Sequence, residues 1–177
     1  INNITGQSAC KWLVMEWDGR ESSGIFVGNP IGWLLRNVNS SLALFKDNGI
    51  RSFSKVLIAI RPGRRNKRFI DVADKICRHF GASLTLLNIV SESDSNQKIK
   101  RTEKSSSELI SETKSKSVVK IIKSNNPVEA ISEESASYDL LILGTPEKDN
   151  WISVLFGAGE DRFVKKAACS VLRLTIK

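Results

Sequence analysis

Histidine, tyrosine and methionine occur once each in this 177-residue chain, cysteine three times and proline four times. The lone histidine, His79, falls near the end of an amphipathic stretch, so neither a histidine metal cluster nor a catalytic dyad can be assembled around it. Cys10, Cys77 and Cys169 lack CxxC spacing. Cys77 and Cys169 lie inside apolar patterns and read as buried thiols of a reducing compartment. No apolar run nears the ~20 residues that span a bilayer. No signal-peptide pattern is visible, and a chain that starts at Ile1 reads as a piece of a longer polypeptide. Aromatic residues make up only 7%. None interleaves with the basic clusters, which argues against a stacking platform for single strands.

What is present is an ordinary globular composition, 41% hydrophobic and 26% charged, with a net charge of +8. That is enough apolar material for one sizeable core, or for one domain and part of another. Basic residues concentrate in Arg61-Pro-Gly-Arg-Arg-Asn-Lys-Arg68 and between Lys98 and Lys123. Such charge suits an anionic partner: nucleic acid, an anionic membrane surface or a small phosphorylated ligand. No recognition helix is evident, and nucleic acid is not expected.

From Lys55 onward strands and helices alternate. Val56 to Ile60 is a short continuous apolar run, the pattern of a buried parallel strand. Residues 66–80 carry Phe69, Ile70, Ala73, Ile76, Cys77 and Phe80 at helical spacing, and Gly81 is placed to stop the helix. A strand from Ser83 to Val90 follows. The stretch 91–117 is rich in Ser, Lys and Glu and reads as a mobile polar segment with one surface helix. Val118 to Ile122 is a strand. Asn126-Pro-Val-Glu129 has the cap, first-turn proline and N3 glutamate of a helix start. Tyr138 to Leu143 is a strand, Glu160 to Ala167 a helix, and Ser170 to Ile176 a last strand. Strands alternating with helices predict an α/β domain with a five-stranded parallel sheet, open and doubly wound, with helices on both faces.

The first fifty residues repeat the end of that unit. Displaced by 129 positions, Ile25-Phe-Val-Gly28 falls on Val154-Leu-Phe-Gly157 and Ser41 to Phe45 on Ser170 to Leu174. Trp12 to Met15 matches Leu140 to Leu143 if one loop residue is dropped. Asn29-Pro30 caps a helix with Ile31, Leu34, Leu35 and Val38 on its apolar face. The expected organisation is the C-terminal part of a first copy at 1–50 and a complete second domain at 51–177.

"KVLIAI", "GASLTLLNIV", "YDLLILGT" and the closing "CSVLRL" together resemble the universal stress protein family, over 54–177 and again over 12–45. The resemblance implies a parallel five-stranded sheet that pairs with a second copy through its last strand, and in many members an ATP or AMP site. That site uses Gly-x-x-Gly, nine residues, then Gly followed by Ser or Thr, with an aspartate just after the first strand. Glycines allow close approach of backbone amides to phosphate. Here Gly144 and Gly157 match the first and third glycines, and Glu147 replaces the second. Ala158 replaces the hydroxyl residue, and Arg61 stands at the aspartate position. In the upstream repeat Glu16, Gly19 and Asn29 take the corresponding places. Ligand candidates are Arg61, Gly63, Arg64, Gly144, Thr145, Gly157 and Ala158, grouped where ligands sit in such sheets. The basic loop has two readings, an anion site or a solvated surface. Trp17 and Trp151 sit in equivalent loops, as partner contacts or as core anchors.

The departures imply a degenerate nucleotide-binding site, and neither a catalytic group nor a metal set is expected. Tandem units of this kind are familiar as cytosolic C-terminal regions of membrane transporters. The resemblance thus implies a non-catalytic regulatory and assembly domain on the cytoplasmic side of the membrane. Its expected partners are a transporter's transmembrane domain and a homodimer or pseudo-dimer joined by Ser41 to Phe45 and Ser170 to Ile176. The rival reading is a stand-alone soluble universal stress protein binding ATP or AMP.

Overall fold

Among the described residues the short apolar runs become strands and the amphipathic stripes helices; the helix start expected at Asn29-Pro30 lies outside them. The computed structural model describes residues 10–17, 37–60, 66–145 and 161–177. In chain order the elements are β1 (Trp12–Glu16), β2 (Ser41–Lys46), β3 (Lys55–Ala59), α1 (Asn66–Phe80), β4 (Ser83–Val90) and α2 (Asn96–Ile110). They continue with β5 (Ser117–Lys123), α3 (Pro127–Ser135), β6 (Leu140–Gly144), α4 (Arg162–Lys166) and β7 (Ser170–Thr175).

The described residues form a sheet of seven strands in the order β1-β2-β7-β6-β3-β4-β5. The strands β7-β6-β3-β4-β5 are all parallel. β1 is parallel to β2, and β2 meets β7 antiparallel. The five-stranded count expected from the sequence is therefore extended by two strands across one antiparallel seam. The two strands expected at an assembly edge pair with each other inside this chain, which gives the edge groups of β7 hydrogen-bond partners.

The seam is locally two-fold about the pair Leu44↔Arg173, with Leu42↔Thr175 at one end and Lys46↔Val171 at the other. At the two ends the Lys177 N–H donates to Ser41 Oγ (3.2 Å) and the Asn48 N–H to Ser170 Oγ (2.9 Å). The flanking parallel pairs correspond as well, with Trp12 opposite Ser41 in one and Leu140 opposite Ser170 in the other. Just past them the Trp17 N–H donates to Phe45 O (2.8 Å) and the Thr145 N–H to Leu174 O (2.9 Å).

Alternation along the strands splits the core into two layers. Val56, Ile58, Leu84, Leu86, Leu140 and Ile142 lie under α1, whose stripe is Phe69, Ile70, Ala73 and Cys77. Leu57, Ala59, Leu87, Leu141 and Leu143 lie on the other face with Ile131 of α3 and Val164 of α4. The helices cover both faces, as expected. Gly81, at φ 66°, ends α1 in the left-handed conformation. The Ala82 N–H returns to Cys77 O (2.8 Å), closing a Schellman motif. Asn126 caps α3 from its side chain (3.4 Å to the Glu129 N–H), with Pro127 at its first turn.

The polar stretch 91–117 holds α2, capped by Ser95, whose hydroxyl accepts from the Lys98 N–H (3.3 Å). Its docking stripe is narrow: Leu109 and Ile110 meet the α1 layer, and buried Ser106 accepts from Asn88 Nδ2 (2.9 Å). Asp74 of α1 fastens the turn after α2, accepting from the Lys114 and Ser115 N–H groups (3.0 and 2.9 Å). Arg78 pairs with its second oxygen.

Candidate ligand-binding site

β3 lies directly beside β6, with Val56 opposite Leu140 and Ala59 opposite Leu143. The chain leaves β3 toward α1 on one face of the sheet and leaves β6 toward α4 on the other. The carboxyl ends of β3 and β6 are thus the topological switch point, where open α/β sheets place their ligands. Of the sequence candidates, Gly144 and Thr145 lie here. Arg61, Gly63, Arg64, Gly157 and Ala158 lie outside the described residues, as does Trp151.

Gly144 has a packing reason to lack a side chain. A Cβ at this position would stand 3.2 Å from the Phe69 ring and 3.3 Å from Ile60 Cγ2, so its absence lets α1 settle on the sheet end. Thr145 is buried, and its hydroxyl is bonded to the hydroxyl of Thr175 (2.9 Å). Its side chain thus ties the end of β6 to β7.

The basic cluster divides. Lys67 reaches Glu112 (2.6 Å) in an exposed pair of small energetic weight. Arg68 donates to Lys177 O (3.1 Å). Neither turns to the switch point. Trp17 is buried in the layer shared with α3 and α4, the anchor role of its two readings.

The sequence reading missed the best-built polar feature of this end of the sheet. Arg173, in the middle of apolar β7, is 5% exposed and Asp161 is 1% exposed. Arg173 Nε and Nη2 both donate to Asp161 Oδ2, Nε at 2.8 Å, and Nη1 donates to Gly144 O at 3.1 Å. Asp161 Oδ1 meanwhile caps α4, accepting from the Phe163 and Val164 N–H groups (3.0 and 3.3 Å). One guanidinium thus holds together the end of β6 and the start of α4, the two feet of the glycine-bearing loop. A charge in the centre of an apolar strand was the available signal, because a buried arginine requires a buried carboxylate.

Among the described residues no group of three or more His, Cys, Asp or Glu is placed to hold a metal. Burial pushes the Cys77 and Cys169 thiols up to about 11, which leaves them protonated and unreactive at neutral pH. No described helix is long and apolar enough to cross a membrane.

The family model of the universal stress protein family matches residues 52–174, and this chain belongs to that family. The fold is shared with a universal stress protein from Archaeoglobus fulgidus at TM-score 0.70 and 16% identity, over 97% of this chain and 63% of that one. This chain therefore spans less than two thirds of that protein's length. A second structure from Archaeoglobus fulgidus, a universal stress protein in complex with dAMP, aligns at TM-score 0.54 and 14% identity, covering 69% of this chain and 98% of its own. A universal stress protein in complex with cAMP aligns at TM-score 0.57 and 14% identity, covering 71% and 99%. No curated protein sequence matches the chain.

Proposed function

We propose that this chain is a non-catalytic universal stress protein unit that binds an adenine nucleotide at the joined ends of β3 and β6. The observation that carries this reading is the switch point itself, from which the basic and the glycine-bearing loops both depart. The dAMP and cAMP complexes of two structural relatives support the ligand class. The resemblance to a transporter's cytosolic region draws no comparable support, since the relatives named above are universal stress proteins. The stand-alone reading takes its place.

β1 and β2 are, in the same proposal, the last two strands of a preceding unit. The matched registers, the paired serine contacts and the two-fold seam all follow from one repeated strand pair. Relatives of one unit's length cover about 70% of this chain, whereas the longer relative covers nearly all of it.

Three substitutions set the binding mode. Glu147 and Ala158 remove contacts to phosphate, and Arg61 brings a cation where the family pattern has a carboxylate. Phosphate is then held by charge more than by a glycine cradle. Calorimetric titration with ATP, ADP and AMP, with and without magnesium, tests the reading. Micromolar binding lost in Gly157→Val, with no phosphate released on incubation, is the expected result. Silence at millimolar nucleotide would leave a scaffold without a ligand.

A further inference from the structure

β7 is an apolar strand with one charge in its middle. Val171 and Leu174 are buried beside Arg173, which is itself buried. An apolar residue in its place would spare the desolvation of two charges, and such replacements of a buried ion pair are often neutral or stabilising. Net stability is therefore a weak reason for the pair. Its geometry supplies a better one.

The guanidinium divides its donors between two regions of the backbone. Nε and Nη2 hold Asp161 Oδ2, and Nη1 holds Gly144 O at 3.1 Å. A planar fork fixes these acceptors relative to one another, whereas an ammonium is a point charge on a flexible stem. Gly144 is the first β6 residue past the ladder to β3, which ends at Ala59 opposite Leu143. The carbonyl that Arg173 holds is thus placed where the two strands part. The next residue is also held by β7: the Thr145 N–H donates to Leu174 O (2.9 Å), and the hydroxyls of Thr145 and Thr175 meet at 2.9 Å. Three consecutive residues of β7 fix the exit of β6. The first of them also fixes Asp161, where the chain returns as α4.

Asp161 is engaged at both oxygens, since Oδ1 caps α4 at the Phe163 and Val164 N–H groups. The rest of α4 is fastened independently. Lys46 Nζ donates to Val164 O (3.0 Å), and Asn48 Nδ2 donates to the Ala168 and Cys169 carbonyls just past the helix (3.2 and 3.0 Å). Losing the pair would therefore leave α4 docked but its start no longer tied to Gly144.

We infer that Arg173 and Asp161 are positioning residues for the nucleotide site of the proposed function. They hold the end of β6 and the start of α4 at a fixed spacing and do not touch the ligand themselves. The inference rests on the nucleotide reading and adds to it the residues that preset the site. A preset spacing spares the ordering that a ligand would otherwise have to impose, so its loss is read in affinity.

The test compares AMP binding and urea unfolding of the full chain with those of the double variant Asp161→Asn/Arg173→Met. Asparagine still caps α4 and no buried charge is orphaned, so the urea midpoint should stay near that of the unaltered chain. AMP should bind about tenfold more weakly or worse. Leu84→Ala, at a fully buried residue near the amino end of β4, is the control for stability alone. Its midpoint should fall while its AMP affinity stays, and any fall in the double variant's midpoint is read against it. Equal AMP affinity in the double variant and the unaltered chain would overturn the inference and leave the nucleotide reading standing. An affinity loss in Leu84→Ala as large as that of the double variant would overturn it too, because stability alone would then account for both. Silence of the unaltered chain at millimolar AMP would remove the nucleotide reading itself, and the positioning role with it.

Discussion

The strand pairs β1–β2 and β6–β7 share a register and a seam, yet they live in different surroundings. In β6–β7 the apolar residues are sealed on both faces by helices and flanked by β3. In β1–β2 the same alternation ends in a residue that is 66% exposed. The backbone geometry of a parallel pair is thus set locally by alternation and hydrogen bonding. Burial is set by what is laid over it. Among the described residues nothing covers Val14 as α1 covers Ile142.

The sharpest way to break the comparison is at the Arg173–Asp161 pair, which has a charged residue on one strand of the seam opposite Leu44 on the other. Asp161→Ala leaves a buried guanidinium without its carboxylate and α4 without its cap. The expected loss is about 3–5 kcal/mol in urea unfolding, with m unchanged. Arg173→Met restores part of it in the double variant, since an apolar replacement of both partners removes the orphaned charge.

Next come the two equivalent positions. Ile142→Ala should cost about 2–5 kcal/mol, because the site is fully enclosed. Val14→Ala should stay within about 0.5 kcal/mol. Equal costs would mean that β1 is as covered as β6.

Much of this architecture is legible in the sequence. The runs read at 56–60, 83–90 and 138–143 become the strands Lys55–Ala59, Ser83–Val90 and Leu140–Gly144, because continuous apolarity suits a sheet covered on both faces. Gly81 and Asn126-Pro127 mark helix ends by backbone chemistry alone. Ser41 and Ser170, aligned by the 129-residue displacement, both open strands, each at the first pair of a parallel ladder. The docking of α2 was not legible, since its only apolar residues are Ile99, Leu109 and Ile110 and its one buried residue is a serine. Gly144 was ambiguous in sequence. A glycine required by the Phe69 ring and one required by phosphate look the same in sequence. Arg173 and Asp161 lie twelve residues apart across the α4 turn, a spacing that no short motif reports.

The helical layer that distinguishes β6 from β1 should be acid-sensitive through Asp74. Burial pushes this carboxyl up, but the hydrogen bonds from Ser115 and Lys114, with Arg78 nearby, outweigh it and hold it below its usual range. Its stabilisation is therefore in place above about pH 4 and is lost as the pH falls through the folded-state value. Asp74→Asn should cost about 1.5–3 kcal/mol at neutral pH and flatten that acid limb. Smaller effects than at Asp74 are expected at the serine contacts. Ser41→Ala and Ser170→Ala should each cost about 0.5–1.5 kcal/mol, similar to one another because the two bonds are two-fold related.

The central claim is that β2 and β7 form an antiparallel seam within one chain. Proton NMR of a sample mixed from isotope-labelled and unlabelled protein tests it directly. The expected result is a set of backbone contacts between 42–46 and 171–175 that run in opposite directions and arise within a single molecule. Contacts that appear only between labelled and unlabelled chains, or that join β7 to β7, would contradict it.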